Sequence, residues 1–148
     1  MGLAASRAFE SLGLRAVPVP ADDPYEHWEP GLSRGMGILS MRHAGYLAGL
    51  GVMGKSTLLI NDRLGNMMLI GAVLIDAEME GDPLATYEGC ISDCSICIDN
   101  CPVGALGGES VNQALCRPRS MVVNERGFAL KNCNLCRRDC PNALGTES

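Results

Sequence analysis

All eight cysteines of this 148-residue chain lie between Cys90 and Cys140, and no other feature restricts its fold so tightly. They run Cys90-x3-Cys94-x2-Cys97-x3-Cys101-Pro102, then an isolated Cys116, then Cys133-x2-Cys136-x3-Cys140-Pro141. Two blocks with the same Cys-x2-Cys-x3-Cys-Pro ending are the pattern of ligands for a pair of [4Fe–4S] clusters. Each iron of such a cluster takes one thiolate, and three cysteines from a tight loop plus one from elsewhere supply them at low loop-closure cost. In two-cluster ferredoxins the cysteine before proline ligates the other cluster. That rule assigns Cys90, Cys94, Cys97 and Cys140 to a cluster A, and Cys101, Cys116, Cys133 and Cys136 to a cluster B. The pattern specifies Cys90 and Cys116 least, because one follows an enlarged gap and the other stands alone.

Other chemistries use eight thiols too. Two four-cysteine zinc sites would consume them, although zinc favours paired Cys-x2-Cys knuckles and does not account for proline after both blocks. One cluster with spare thiols is a further possibility. Four disulfides would require an oxidising compartment. Met1 to Leu14 reads as an amphipathic helix rather than a signal segment, and no apolar run reaches the ~18 residues of a membrane span. The expectation is therefore a cytoplasmic chain with reduced thiols, no membrane association and clustered cysteines that bind metal.

An apolar fraction of 47% suffices for a core, with eight Met and few aromatics filling it. The net charge of −5 argues against a general nucleic-acid binder. From Asp76 to Asp99 the charges are all acidic. From Arg117 to Arg138 they are basic save Glu125 (Arg117, Arg119, Arg126, Lys131, Arg137, Arg138). These are either two solvated faces, or a basic group that offsets cluster charge or docks an acidic redox partner.

The fold class read from the chain is α+β, with a boundary near Gly81. Residues 3–12 have helical spacing, with Gly13 as a stop. Arg15 to Pro20 reads as an edge strand. Asp22 to Gly35 reads as a loop anchored by Trp28 and Tyr25, and Ile38 to Leu50 as a second helix. Ser56 to Ile60 and Asn66 to Asp76 read as a hairpin about the turn Asn61–Gly65, with Gly71 as a bulge. Beyond Gly81 loops and two or three short helices are expected, with Pro102 and Pro141 starting helices.

Gly49-Leu50-Gly51-Val52-Met53-Gly54-Lys55-Ser56 fits both the dinucleotide and the phosphate-loop patterns. Both require a strand before the loop and a helix after it. Here the order is reversed, so the reading is a tight helix-to-strand turn that needs glycine. A loop lying against a planar cofactor stays open, with Gly49, Gly51, Gly54 and Lys55 as its residues. His43 reads as a packed histidine.

Ala48 to Ile60 resembles the Ala-Gly-Leu-Gly-Trp-Ile-Gly-Lys-Asn-Thr-Leu-Leu segment of epoxyqueuosine reductases. Cys97-Ile98-Asp99-Asn100-Cys101-Pro102-Val103-Gly104-Ala105 resembles their Cys-Ile-Asp-Ala-Cys-Pro-Thr-Gly-Ala. The cysteine order agrees as well, and the likeness covers residues 34–142. It implies a remnant of a nitroreductase-like α/β domain at 1–81 followed by a bicluster ferredoxin-like domain at 82–148. In that family the clusters feed cobalamin, and the substrate is an epoxide on a modified tRNA base. The chain departs from the pattern in starting partway into the first domain. Gly35 stands where the family has its catalytic Asp, Val52 replaces the loop tryptophan, and the chain stops soon after Pro141. The cluster ligands carry over, and no catalytic residue does. Two readings follow. One is an electron-transfer protein with two [4Fe–4S] clusters and a redox partner protein. The other is a reductase dependent on cobalamin or flavin, completed by a partner subunit, with tRNA as the one nucleic acid involved.

Overall fold

The structure, a computed structural model, describes residues 2–21, 26–32 and 34–146. Helix α1 (Gly2–Ser11) ends where expected. The Gly13 N–H donates to the Glu10 carbonyl (2.9 Å) and the Leu14 N–H to the Phe9 carbonyl (3.2 Å), with Gly13 at φ +85°, a Schellman cap. The helix lies on a two-stranded antiparallel sheet of β1 (Ala16–Val19) and β6 (Ala72–Ile75). Buried Ser6 and half-buried Phe9 share a face of α1, while Leu3 and Leu12 of the expected apolar stripe are exposed.

Between these strands come β2 (His27–Glu29), a 3₁₀ turn (Pro30–Leu32) and β3 (Arg34–Met36). The segment read as loop thus contains a short hairpin, closed with Trp28 opposite Gly35. Trp28 does anchor it, since the Arg117 guanidinium sits 5.4 Å from its ring centroid; Tyr25 lies outside the described residues. Helix α2 (Met41–Leu47) is shorter than its sequence pattern. The chain then turns through the glycines into β4 (Val52–Met53), which pairs antiparallel with β5 (Leu59–Ile60).

The expected hairpin of β5 with the following strand does not form. Asn61 does make the turn, its Oδ1 accepting from the N–H groups of Arg63 (3.1 Å) and Leu64 (2.9 Å). Past it, however, the N–H groups of Asn66 and Met67 donate to the carbonyls of Asn142 and Ala143, each at 3.2 Å. A distant segment has taken the edge that β6 was expected to use. Gly65, at φ +64°, permits this, because a Cβ there would meet the Ala143 carbonyl oxygen at 2.2 Å. Gly71 precedes β6, so it is not a bulge.

The later chain contains α3 (Ile96–Asp99), α4 (Gln113–Ser120), β7 (Met121–Val123), β8 (Ala129–Lys131) and α5 (Leu135–Arg138). The three short helices were expected; the β7–β8 hairpin was not. Pro102 and Pro141 follow α3 and α5 rather than starting helices. With no N–H to donate and a ring that clashes with the preceding turn, proline there closes each one-turn helix.

The buried core is small. Leu59, Ile60, Cys97 and Ala105 are among its few apolar members, and Ser56, Thr57 and Asn66 are buried with them. Val17, Leu47, Leu69 and Leu74 are exposed. Among the described residues no helix is long and apolar enough to cross a membrane.

One pH effect follows from the first sheet. The Arg15 Nε donates to the Asp76 carboxylate at 2.7 Å and its backbone N–H at 2.8 Å, and these bonds hold the Asp76 carboxyl below its ordinary value of 3.8. A carboxyl depressed in the folded state stabilises it above the unfolded-state pKa and ceases to as pH falls through the folded value. Urea titrations of wild type and Asp76→Asn should differ most near neutrality and converge in acid.

Candidate metal centre

Cys97 lies in the single turn of α3 and Cys136 in that of α5, and the two helices pack together. Each is followed by the next cysteine of its block just past the helix end. All eight cysteines are free thiols, and only Cys97 is fully buried.

The thiols fall into two sets. Cys90, Cys94, Cys97 and Cys140 line one cavity with Lys55, Ile60 and Asn142. Burial pushes the Cys97 thiol up, and so do Cys90, Cys140 and Cys94 around it. The Cys140 thiol is likewise raised by burial and by Cys90 and Cys94. Across the α3–α5 contact the second set comes together. The Cys116 thiol is raised by burial and by Cys101 and Cys133, and the Cys136 thiol by burial, Cys116 and Cys133. Cys97 also feels Cys136, a link between the sets. Cys140 thus lines a cavity with three cysteines of the first block.

Backbone amides converge on the crossing sulfurs. The Ala105 N–H donates to Cys101 Sγ at 3.2 Å. Burial alone would raise the Cys101 thiol. The N–H groups of Val103, Ala105, Leu106 and Gly104 outweigh it and leave the thiol below its ordinary value. Such bonds favour a thiolate, the form that ligates iron. Among the described residues no three His, Cys, Asp or Glu side chains gather closely enough to share one metal ion.

The glycine loop belongs to this cavity. Lys55 donates its backbone N–H to Cys90 Sγ (3.3 Å) and its ammonium to the Cys94 carbonyl (2.9 Å). Gly49 adopts φ +70° at the exit of α2, and Gly51 and Gly54 pack on Ile60. The turn runs from helix to strand, as its sequence pattern requires. His43 is exposed rather than packed, its Nδ1 at 2.7 Å from Ser40 Oγ.

A second cavity, lined by Arg34, Arg42, His43, Met53, Thr57 and residues 109–114, lies between α2 and the start of α4. The Arg42 guanidinium donates to the Thr57 carbonyl (2.6 Å) and hydroxyl (2.7 Å). This holds a β-branched residue at φ +61°, a conformation that costs about 1–3 kcal/mol unless its surroundings impose it. Gly35 N–H donates to Gln113 Oε1 (3.1 Å).

Sequence reasoning missed four residues of these sites. Tyr87 donates to the Ile60 carbonyl (3.0 Å) and accepts from the Asp62 N–H (3.1 Å). Asn142 donates its side-chain amide to the Gly89 carbonyl (2.9 Å), next to Cys90. Asn66 lies in what reads as a strand, and Thr57 in what reads as a plain apolar run. No local pattern marks them, because their partners are remote in sequence.

What the fold and the site define is a mixed helix-and-strand unit with eight free cysteines, four of them around one cavity. No family model matches the chain. It is 33% identical over 125 residues to the epoxyqueuosine reductase of Staphylococcus aureus, an alignment covering 76% of this chain and 32% of that protein. The Leadbetterella byssophila epoxyqueuosine reductase is 30% identical over 105 residues, covering 64% and 34%. The solved epoxyqueuosine reductase of Streptococcus thermophilus superposes with a TM-score of 0.65 at 19% identity, over 95% of this chain and 37% of that one. A crystal structure of epoxyqueuosine reductase with an epoxyqueuosine-modified tRNA-Tyr stem loop superposes with a TM-score of 0.66. The chain is epoxyqueuosine reductase-like, and it spans about a third of the length of the relatives it matches.

The glycine loop yields a stability prediction. A Cβ on Gly51 would lie 2.3 Å from the Ile60 carbonyl oxygen. Gly51→Ala should cost about 1–3 kcal/mol, as overpacking against fixed backbone does, read as a lowered denaturation midpoint.

Proposed function

We propose that the chain is an iron–sulfur electron-transfer protein with two [4Fe–4S] clusters. One would be held by Cys90, Cys94, Cys97 and Cys140, the other by Cys101, Cys116, Cys133 and Cys136. The observation that carries this reading is the cavity that Cys90, Cys94, Cys97 and Cys140 line together, with α3 and α5, which carry Cys97 and Cys136, packed on each other. The donor sets fit cubanes better than single ions. Zinc sites do not account for the proline that follows the last cysteine of both blocks. A cubane spreads its four irons over separate corners and takes thiolates further apart.

When bound, the clusters would take up and pass on single electrons. The chain's own residues would do the rest. The N–H groups around Cys101 and the Lys55 N–H at Cys90 stabilise thiolate charge. The α3–α5 contact brings the two thiol sets beside each other, a route between them. Arg117, Arg119, Arg126, Lys131, Arg137 and Arg138 would offset cluster charge and offer a face to an acidic redox partner in the cytoplasm. On this reading residues 82–148 form the cluster-binding domain and residues 1–81 a partial reductase-like α/β domain.

Anaerobic reconstitution should load about eight iron and eight sulfide per chain; zinc without sulfide would defeat the proposal. The exchange of ligands has its own test. In electron paramagnetic resonance, Cys140→Ser should lose the same signal as Cys94→Ser, and Cys101→Ser the same signal as Cys136→Ser. Pairing of Cys101 with Cys94 instead would show that each block keeps its own last ligand.

A second reading is favoured by the cavity at Arg34, Arg42 and His43 and by the exposed apolar residues Leu3, Leu12, Val17 and Leu74. It is a cobalamin- or flavin-dependent reductase of the epoxyqueuosine kind, acting on tRNA and completed by a partner subunit. Titration of cobalamin and flavin into the reduced, reconstituted chain, with and without candidate partners, should then show binding. Absence of both binding and turnover counts against it.

A further inference from the structure

Asn66 is 1% exposed, and neither its side-chain nitrogen nor its oxygen has a hydrogen-bond partner of ordinary geometry in the protein. Among the described residues, Asn66 and Ile60 are the largest fully buried side chains. An unpartnered amide at such depth is costly and calls for a reason. It is not an accident of loose backbone, for the main chain around it is clamped. The Asn66 N–H donates to the Asn142 carbonyl at 3.2 Å, and its carbonyl accepts from Arg137 Nη1. These partners flank Cys140, and the Asn66 side-chain amide lies near that thiol.

We propose that the Asn66 side-chain amide is an outer-sphere donor to the group held by Cys90, Cys94, Cys97 and Cys140, and that it sets that group's reduction potential relative to its neighbour's. The inference rests on the two-cluster reading above. Reduction adds negative charge, and an N–H aimed at a ligand sulfur stabilises the more negative form. The second thiol set has a different supply: around Cys101 the donors are backbone N–H groups from residues 103–106. The first set also receives a backbone N–H, from Lys55 at Cys90, and Asn66 adds to it a buried side-chain amide from residues 1–81. That half of the chain would then be part of the redox machinery rather than only a platform for it. Asn66 acts here as a positioning and tuning residue, with no bond-making role.

The test uses the full chain, reconstituted anaerobically and titrated with dithionite under electron paramagnetic resonance. Iron and sulfide content of the wild type reports on the two-cluster reading by itself. The signal lost in Cys94→Ser identifies cluster A. With iron and sulfide unchanged, Asn66→Leu should move the cluster A midpoint negative, shifting its electron-sharing equilibrium with cluster B about tenfold, 59 mV for one electron. Cluster B should not move. Asn66→Asp, of the same shape but without the donor, should shift cluster A in the same direction. Midpoints that stay put, or that move together, overturn the proposal. Should both variants fail to load, wild type carrying asparagine labelled with ¹⁵N at the side-chain amide decides. Electron spin-echo modulation from that nitrogen at reduced cluster A supports the proposal, and its absence overturns it.

Discussion

The pairing of Asn66 and Met67 with Asn142 and Ala143 is the interaction on which the rest of this structure depends. It is two backbone hydrogen bonds, each at 3.2 Å, but it carries Cys140 across the molecule to the cysteines of the first block. Three further contacts fasten the same junction: Arg137 to the Asn66 carbonyl, Asn142 to the Gly89 carbonyl, and Gly65 against the Ala143 backbone. Without that junction the cavity of the first four thiols would have lost one wall and one sulfur.

The core supports the same conclusion. A domain of this size ordinarily buries a contiguous apolar centre. Here buried Ser56, Ile60 and Cys97 line the first thiol cavity, while many large apolar residues elsewhere are exposed. The glycine loop, two of whose glycines pack against Ile60, brings Lys55 to Cys90 and Cys94. The loop's likeness to a phosphate-binding motif is incidental. Glycine serves both for the same reason, close approach of backbone, and the element order around it decides which use applies.

Much of the local structure was legible in the chain. The capping of α1 at Gly13, the helix-to-strand sense of the glycine turn and the short helices of the later chain all follow from residues near in sequence. Failures occurred where two segments compete for one partner. Asn66 to Asp76 has the composition of a strand returning on β5, yet β6 pairs with β1 and the edge beside Gly65 goes to residues after Cys140. Pro102 and Pro141 were misjudged because a proline is compatible with either side of a helix, and the helix here is the one carrying the middle cysteine of each block. The exposed stripe of α1 likewise reflects packing that periodicity does not encode.

By itself, the sequence determined the number, order and spacing of the thiols. Spacing limits which cysteines can meet, and a short gap closed by proline leaves few conformations. Only the tertiary structure decided what surrounds each group. It brought Lys55 to Cys90 and Cys94, Asn142 to the Gly89 carbonyl and Tyr87 to the carbonyl of cavity-lining Ile60, residues well separated along the chain. The physical reason is range. Ligand spacing is a property of a few consecutive residues, whereas the hydrogen bonds and burial that tune a bound group come from segments whose meeting no local pattern records.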